Sequence, residues 1–176
     1  QEKNDSPFFS IDANFLSSSD CDLRDWNKVN QLFGDEMPEV VIHLAGKVGG
    51  VKANSDQVAD FYTDNIMMNT NVLHAAHKHD IPKLINMLSS CIYPDKVKYP
   101  IKEKSLHDGP PHDSNFGYAY AKRMLEVQSR AYSQQYFKNF ISVIPNNIFG
   151  EHDNFHRNDS HVIPAIIRKM YEAKNR

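Results

Sequence analysis

This 176-residue sequence contains few cysteines, little net charge and no long apolar run. The two cysteines, Cys21 and Cys91, are too few and too far apart to suggest a disulfide framework, which favours a reducing compartment. The formal net charge of −2 provides no basic surface for nucleic acid or an anionic membrane. The polar first residues lack the pattern of a signal peptide, and no apolar run could span a bilayer. We therefore expect a soluble cytoplasmic protein that binds neither nucleic acid nor membrane.

Short apolar runs alternate with longer helical patterns along the chain. Runs rich in β-branched residues, typical of buried parallel strands, occur at residues 40–46, 83–90 and 140–147, with a weaker candidate at 8–16. Helical patterns cover residues 24–33, with Gly34 as the expected stop, and residues 56–79, 118–136 and 162–173. The alternation predicts an α/β fold with a doubly wound parallel sheet of the Rossmann type, incomplete here, whose ligands gather at the carboxyl ends of the strands.

The stretch "GYAYAKRM" carries the first candidate for chemistry. Tyr118 and Lys122 are four residues apart and share one face of a helix, whereas Tyr120 points to another face. A nearby ammonium favours the phenolate, so such a tyrosine can exchange a proton with a carbonyl or an alcohol near neutral pH. The alternative is a solvated pair in which Tyr118 packs on the lysine stem.

A second candidate follows the predicted strand at residues 83–90. The sequence "LSSCIYP" places Ser89, Ser90 and Cys91 where that strand ends, so Ser89 can hydrogen-bond the same substrate oxygen as Tyr118. The serines could instead serve turn formation, and Cys91 could be a small buried apolar residue.

The residues Ser89, Tyr118 and Lys122, in this order, resemble the catalytic set of the short-chain dehydrogenase/reductases. Longer stretches, among them "VIHLAGKVGGVKAN", "LSSCIYPDKVKYPI" and "HDNFHRNDSHVIPAIIRK", are similar to the GDP-L-fucose synthase family within the extended branch of that superfamily. This resemblance covers nearly everything from Val40 onward. It implies NADPH-dependent 3,5-epimerisation and 4-reduction of GDP-4-keto-6-deoxy-D-mannose to GDP-L-fucose, in a homodimer.

The resemblance also implies roles for individual residues. Tyr118 is the proton donor and acceptor, Lys122 its partner on the nicotinamide ribose, and Ser89 polarises the sugar carbonyl. Cys91 and His161 act as base and acid in the epimerisations, although His161 could instead only precede or cap its helix. Lys169 matches a basic position that binds the diphosphate of the nucleotide sugar. The residues implied to bind the cofactor are Asp22, Leu23, Ala45, Met87, Leu88, Ser89, Ser90, Lys122, Pro145, Asn146, Asn147, Ile148 and His161.

Glycine is the residue whose scarcity matters most against this resemblance. Only Gly34 occurs before residue 46, so the glycine-rich loop that holds the pyrophosphate at a helix N-terminus is absent. We therefore expect residues 1–150 to form a partial dinucleotide-binding domain that binds dinucleotide poorly alone, and residues 151–176 to begin the substrate-binding part. The serines at residues 17–19 leave room for a 2′-phosphate and favour NADP(H) over NAD.

Three alternatives stay open at this point. The chain could belong to another nucleotide-sugar epimerase or to a dehydratase, although a dehydratase would need carboxylates beside the serine, where Ser90 and Cys91 stand. It could also be a non-catalytic fragment that only folds or dimerises. His152 and His156 have the spacing of a zinc motif, but Gly150 and the surrounding Asn and Asp residues predict a loop, so we expect no metal.

Overall fold

The computed structural model describes residues 12–157 and 160–175. Within them, helices and strands alternate as predicted, with the bounds α1 (Trp26–Glu36), β1 (Val40–His43), α2 (Val51–Asp56), α3 (Val58–Lys78), β2 (Lys83–Met87), α4 (Phe116–Tyr136), β3 (Asn139–Val143) and α5 (Val162–Lys174). The weak strand candidate at residues 8–16 lies partly outside the described residues, and its described part, 12–16, is not a strand.

The three strands form one parallel sheet in the order β1-β2-β3. Ile42, Ile85 and Ile141 lie side by side in the register, so alternate residues of all three strands share each face of the sheet. The parallel α/β architecture predicted from the alternation is confirmed.

One face of the sheet is buried under α3 and α4. Leu84 and Phe140 enter the main apolar cluster there, together with Leu73 of α3 and Leu125 of α4. Between them lies a buried polar side chain, Asn86, whose amide donates to Ser129 Oγ at 2.8 Å. Helix α3 packs along α4, and α1 packs against α3 on its other side.

The other face of the sheet is open in the described part of the chain. Val40 and Ile42 are about half exposed, and Ile141 and Val143 more than a third. The prediction that the strands are buried is therefore wrong for one face in the described part of the chain, because α3 and α4 cover only the other face.

Two helix boundaries also differ from the prediction. Helix α1 continues through Gly34 to Glu36, and Met37 ends it in the left-handed conformation (φ 41°) with its N–H donating to Phe33 O. Gly34 instead allows close packing, since a β-carbon there would lie 3.1 Å from His79 Cε1. The helix predicted at residues 56–79 starts earlier and divides at Gln57 into α2 and α3.

Candidate active site

Helix α4 brings the predicted tyrosine and lysine to the carboxyl end of β2. Lys122 is almost fully buried, and its Nζ donates to the carbonyl of Met87, the last residue of β2, at 2.9 Å. The same Nζ lies 6.0 Å from the centre of the Tyr118 ring. Gly117 permits this placement of α4, because a β-carbon there would approach Val58 O at the start of α3 to 2.6 Å. Tyr118 and Lys122 therefore share one site, as their spacing predicts.

Burial controls the proton affinities of both groups. It raises the pKa of Tyr118 to about 12, helped by the charge of Cys91 and opposed by a hydrogen bond with the Ser89 side chain. It lowers the pKa of Lys122 to about 8, against the charge of Cys91. The expectation that Lys122 brings the phenol towards its phenolate is thus wrong for this structure, because desolvation of Tyr118 dominates. A tyrosine in this state is a proton donor at neutral pH.

The Ser89 side chain influences the pKa of both the Tyr118 phenol and the Cys91 thiol. A 3₁₀ turn, Ser90–Ile92, follows Ser89 and carries Cys91. Burial raises the pKa of the Cys91 thiol, whereas a hydrogen bond with the Ser89 side chain and the charges of Lys122 and Arg123 lower it. The structure therefore brings together Ser89, Cys91, Tyr118 and Lys122, four of the five predicted catalytic residues.

The loop after β1 forms a second wall beside Lys122. A β-carbon at Gly46 would lie 3.1 Å from Asn65 Oδ1 and 3.5 Å from Lys122 Nζ, so a larger residue there would require Asn65 to shift. Asn65, fully buried on α3, accepts from the N–H of Lys47 at 3.0 Å and donates to its carbonyl at 3.0 Å. The loop that contains the predicted Ala45 is therefore held rigidly next to Lys122.

This arrangement fits the ribose of a dinucleotide. Met87 O occupies only one of the three hydrogen-bond donors of the Lys122 ammonium. The small residues Ala45 and Gly46 leave the adjoining surface free of large side chains. Lys122 and this loop could thus hold a nicotinamide ribose.

A buried histidine lies behind the same loop. The Nε2 of His43, the last residue of β1, lies 2.9 Å from Asn69 Oδ1 of α3. Burial lowers the pKa of His43 to about 4, with a further contribution from the charge of Lys122, so the imidazole is neutral at pH 7. The sequence analysis did not single out His43, Asn65 or Asn69. The two asparagines, four apart on the buried face of α3, were the available signal.

Asp22 and Leu23, which the resemblance implies to bind the cofactor, lie before α1. Asp22 accepts from Arg24 Nε at 2.9 Å and from Nη2 at 2.8 Å, and Leu23 O accepts from the Asn71 amide at 2.9 Å. Arg24 also reaches Asp64 Oδ1 at 3.3 Å, and Asp64 Oδ2 lies 3.1 Å from Lys47 Nζ. This ion-pair chain connects the Asp22 segment to the loop after β1, and Arg24 was overlooked in the sequence.

The remaining predicted cofactor residues follow β2 and β3. Leu88 is buried, and its N–H donates to Val143 O at 2.9 Å. Ser90 Oγ donates to Asn147 Oδ1 at 3.5 Å, a long bond that brings the segment after β3 to the turn carrying Cys91. That segment contains Pro145, Asn146 and the exposed Ile148. The two loops therefore meet, as expected for the carboxyl ends of neighbouring strands.

The two remaining predicted residues, His161 and Lys169, lie immediately before and within helix α5. His161 is exposed and immediately precedes α5, without a side-chain capping bond, and Lys169 is exposed on the helix. Within residues 12–157 and 160–175, no hydrogen bond or ion pair joins either of them to the four clustered residues. Their roles remain predictions.

The loop before α5 contains His152 and His156, the two histidines with the spacing of a zinc motif. Residues 150–157 form turns and no helix, as the sequence predicts. In the described ranges, no group of three or more His, Cys, Asp or Glu side chains is arranged to hold a metal ion. The same ranges contain no helix that is both long and apolar enough to cross a membrane.

Comparison with known families places this site in context. Residues 2–176 match the family model described as "NAD dependent epimerase/dehydratase family". The chain is 49% identical over 159 residues to GDP-L-fucose synthase of Dictyostelium discoideum, covering 90% of this chain and 50% of that protein. It is 42% identical over 154 residues to GDP-L-fucose synthase of Escherichia coli K12, covering 88% of this chain and 48% of that protein.

A solved structure shows the same relationship. The crystal structure of a GDP-L-fucose synthetase from Naegleria fowleri bound to NADP matches with a TM-score of 0.83 and 45% sequence identity, covering 92% of this chain and 53% of that one. The chain thus spans about half the length of the curated relatives it matches.

Proposed function

Since the chain belongs to the NAD dependent epimerase/dehydratase family, we propose that it is the catalytic part of an NADPH-dependent epimerase-reductase. The substrate is GDP-4-keto-6-deoxy-D-mannose, inverted at C3 and C5 and reduced at C4 to GDP-L-fucose. One observation carries this proposal: Ser89, Cys91, Tyr118 and Lys122 converge at the end of β2. A reductase needs the serine, tyrosine and lysine, whereas the thiol adds a group for moving protons on carbon.

The epimerisations use the acidity of hydrogens next to the 4-keto group. The Cys91 thiolate removes the proton at C3 or C5, and the C–H electron pair forms a double bond from that carbon to C4. The π pair of the C4 carbonyl moves onto its oxygen, which becomes an enolate oxygen. The Tyr118 and Ser89 hydroxyls donate hydrogen bonds to that oxygen, where negative charge develops. His161 returns a proton to the opposite face of the carbon, which completes each inversion.

The reduction uses the proton that burial keeps on Tyr118. Lys122 and the loop with Ala45 would hold NADPH, which when bound would supply the hydride for C4. Tyr118, whose pKa is raised to about 12, donates its proton to the C4 oxygen, and Ser89 holds that oxygen in place. Lys122 orients the ribose and keeps a positive charge near the phenol, and Lys169 binds the diphosphate of the substrate.

The cofactor preference rests on the segment before α1. Serines at residues 17–19 and the nearby Arg24 suit a 2′-phosphate better than a free 2′-hydroxyl. Asp22, Leu23 and Ala45 would contact the adenosine half and the wall of this site. The match to a synthetase bound to NADP supports the same preference.

The cellular setting and assembly are part of the same proposal. Both cysteines are free, which suits the cytoplasm. Helices α3 and α4 expose Tyr62, Met67, Tyr120 and Met124, which supports pairing of these helices with a second copy in a homodimer. The division into a dinucleotide-binding part up to residue 150 and a substrate-binding part after it completes the proposal.

The experiment compares substrates on the full-length protein. We expect NADPH oxidation with GDP-4-keto-6-deoxy-D-mannose and formation of GDP-L-fucose, and no conversion of GDP-mannose or UDP-glucose. The Y118F variant should lose NADPH oxidation, whereas Tyr120→Phe, which alters the neighbouring tyrosine outside the site, should keep it. A 4-epimerised or dehydrated product, or equal loss in both variants, would contradict the proposal.

A further inference from the structure

Arg123 follows Lys122 in α4 and is a buried cation without a carboxylate partner. Its exposure is 5%, and none of the ion pairs between described residues includes it. Its Nε donates to Ile92 O at 2.6 Å and its Nη1 to Gly109 O at 2.7 Å. The buried Nη2 has no hydrogen-bond partner among the residues that the structure describes. A further contact of the guanidinium is the Tyr120 ring, whose centre lies 5.5 Å from Cζ. A buried guanidinium with only neutral partners is unfavourable for folding, which points to a role other than stabilising the fold.

The two carbonyls belong to the segments that frame Cys91. Ile92 is the next residue after Cys91 and ends its 3₁₀ turn. Gly109 lies in a neighbouring loop, where a β-carbon would lie 3.4 Å from Pro94. The same loop accepts a hydrogen bond at Pro110 O from the N–H of Asp95, which follows the turn, at 3.0 Å. The Arg123 guanidinium therefore links α4, the helix of Tyr118 and Lys122, to the turn that carries Cys91 and to the loop beside that turn.

The fork of arginine suits this task better than lysine would. Its donors leave a planar group in fixed directions, so two carbonyls from different segments are held at a fixed separation. The groups that act on the thiol are the Ser89 side chain and three members of α4, namely Tyr118, Lys122 and Arg123. Lys122 and Arg123 are the cations in this set, and both lower the pKa of Cys91 against the effect of burial.

We propose that Arg123 is a positioning residue for Cys91: it fixes the turn that carries the thiol and places a second buried cation beside it. This inference rests on the proposed function, in which the Cys91 sulfur takes a proton from C3 or C5 of the sugar. Arg123 forms and breaks no bond in that step. It keeps the sulfur in place and favours the thiolate that accepts the proton.

The test uses the full-length enzyme with Arg123→Met, Arg123→Lys and the control Arg130→Met. Arg130 lies on the same helix, is exposed and pairs with Glu126 at 2.9 Å. The first readout is the pH dependence of Cys91 alkylation by iodoacetamide, followed by the mass of the Cys91 peptide. We expect the midpoint to rise by about one pH unit in Arg123→Met and to stay near the wild-type value in Arg123→Lys, which keeps the charge, and in Arg130→Met.

The second readout is deuterium incorporation at C3 and C5 of the substrate in D₂O without NADPH. Both Arg123 variants should slow this exchange about tenfold or more, because the single nitrogen of lysine cannot reproduce the two separate donors, Nε and Nη1, that hold the carbonyls. Reduction of an already epimerised 4-keto sugar should change less than about threefold. If Arg123→Met does not fold, Arg123→Lys still decides: slowed exchange with preserved reduction supports the proposal, and equal loss of both contradicts it.

Besides equal loss of exchange and reduction, two results would overturn the inference, and one further result would overturn only the proposed function. An unchanged alkylation midpoint in Arg123→Met, or exchange at the wild-type rate in both variants, shows that Arg123 does not act through Cys91. If Cys91→Ser leaves the exchange unchanged, the proposed role of Cys91 fails, whereas the alkylation midpoint still reports whether Arg123 acts on the thiol.

Discussion

Replacing the buried Lys122 should change how stability depends on pH. The ordinary pKa of 10.5 applies to the unfolded chain, whereas burial lowers the pKa in the folded protein to about 8. Between these pH values the unfolded chain holds a proton that the folded chain has released, so stability rises with pH. The difference corresponds to about 3 kcal/mol. Relative to Lys122→Met, which has no such group, the wild type should gain about this much unfolding free energy between pH 8 and pH 10.5.

The assay is urea denaturation of the cofactor-free full-length protein, followed by circular dichroism at intervals of half a pH unit. Other titrating groups cancel because the wild type and the variant are compared at each pH. Lys52→Met is the matched control: Lys52 is exposed, and Asp56 raises its pKa, so its contribution stays nearly constant up to about pH 10.5 and is lost only above it. A flat or falling difference for Lys122→Met would refute the conclusion that burial controls this lysine.

Two further predictions concern the framework of the site. Gly117→Ala should destabilise the protein by about 2 kcal/mol in the same assay, because its β-carbon would lie 2.6 Å from Val58 O. Gly50→Ala, with open space around the β-carbon, should have little effect. Similar values for the two variants would contradict the described contact between α3 and α4. Relative to His43→Gln, the wild type should lose about 3 kcal/mol of unfolding free energy as pH falls from 6.5 to 4. In this range the unfolded chain binds a proton at His43, whereas the buried imidazole of the folded chain stays neutral. A constant difference across this range would mean that His43 is not buried as described.

The sequence predicted the strands better than their surroundings. All three runs rich in β-branched residues became parallel strands, because that composition suits a pleated sheet. The pattern did not show that Ile42 and Ile141 would be exposed, since apolar composition reports the preference of a residue and not which element covers it. The Gly34 prediction failed for a similar reason: tertiary packing against His79 uses the missing side chain, and Met37 ends the helix instead.

The reacting groups were also easier to predict than the residues that hold them. The spacing of Tyr118 and Lys122 on a helix places them on one face, and Ser89 and Cys91 follow a strand, so both sets meet at its carboxyl end. Desolvation depends on the whole fold, so the direction of the Tyr118 pKa shift could not be deduced from its neighbour. Arg123, next to a lysine in a charged helix, looks like a surface residue in the sequence, and only its burial reveals otherwise.

The proposed division of labour between Cys91 and Tyr118 is the central claim. It is tested most directly by following deuterium incorporation and NADPH oxidation together, by NMR and absorbance, in the full-length Cys91→Ser and Tyr118→Phe variants. We expect Cys91→Ser to lose deuterium incorporation at C3 or C5 while still reducing an epimerised 4-keto sugar. Tyr118→Phe should lose reduction and only slow incorporation, because Ser89 still donates to the enolate oxygen. Normal incorporation in Cys91→Ser, or normal reduction in Tyr118→Phe, would contradict the account.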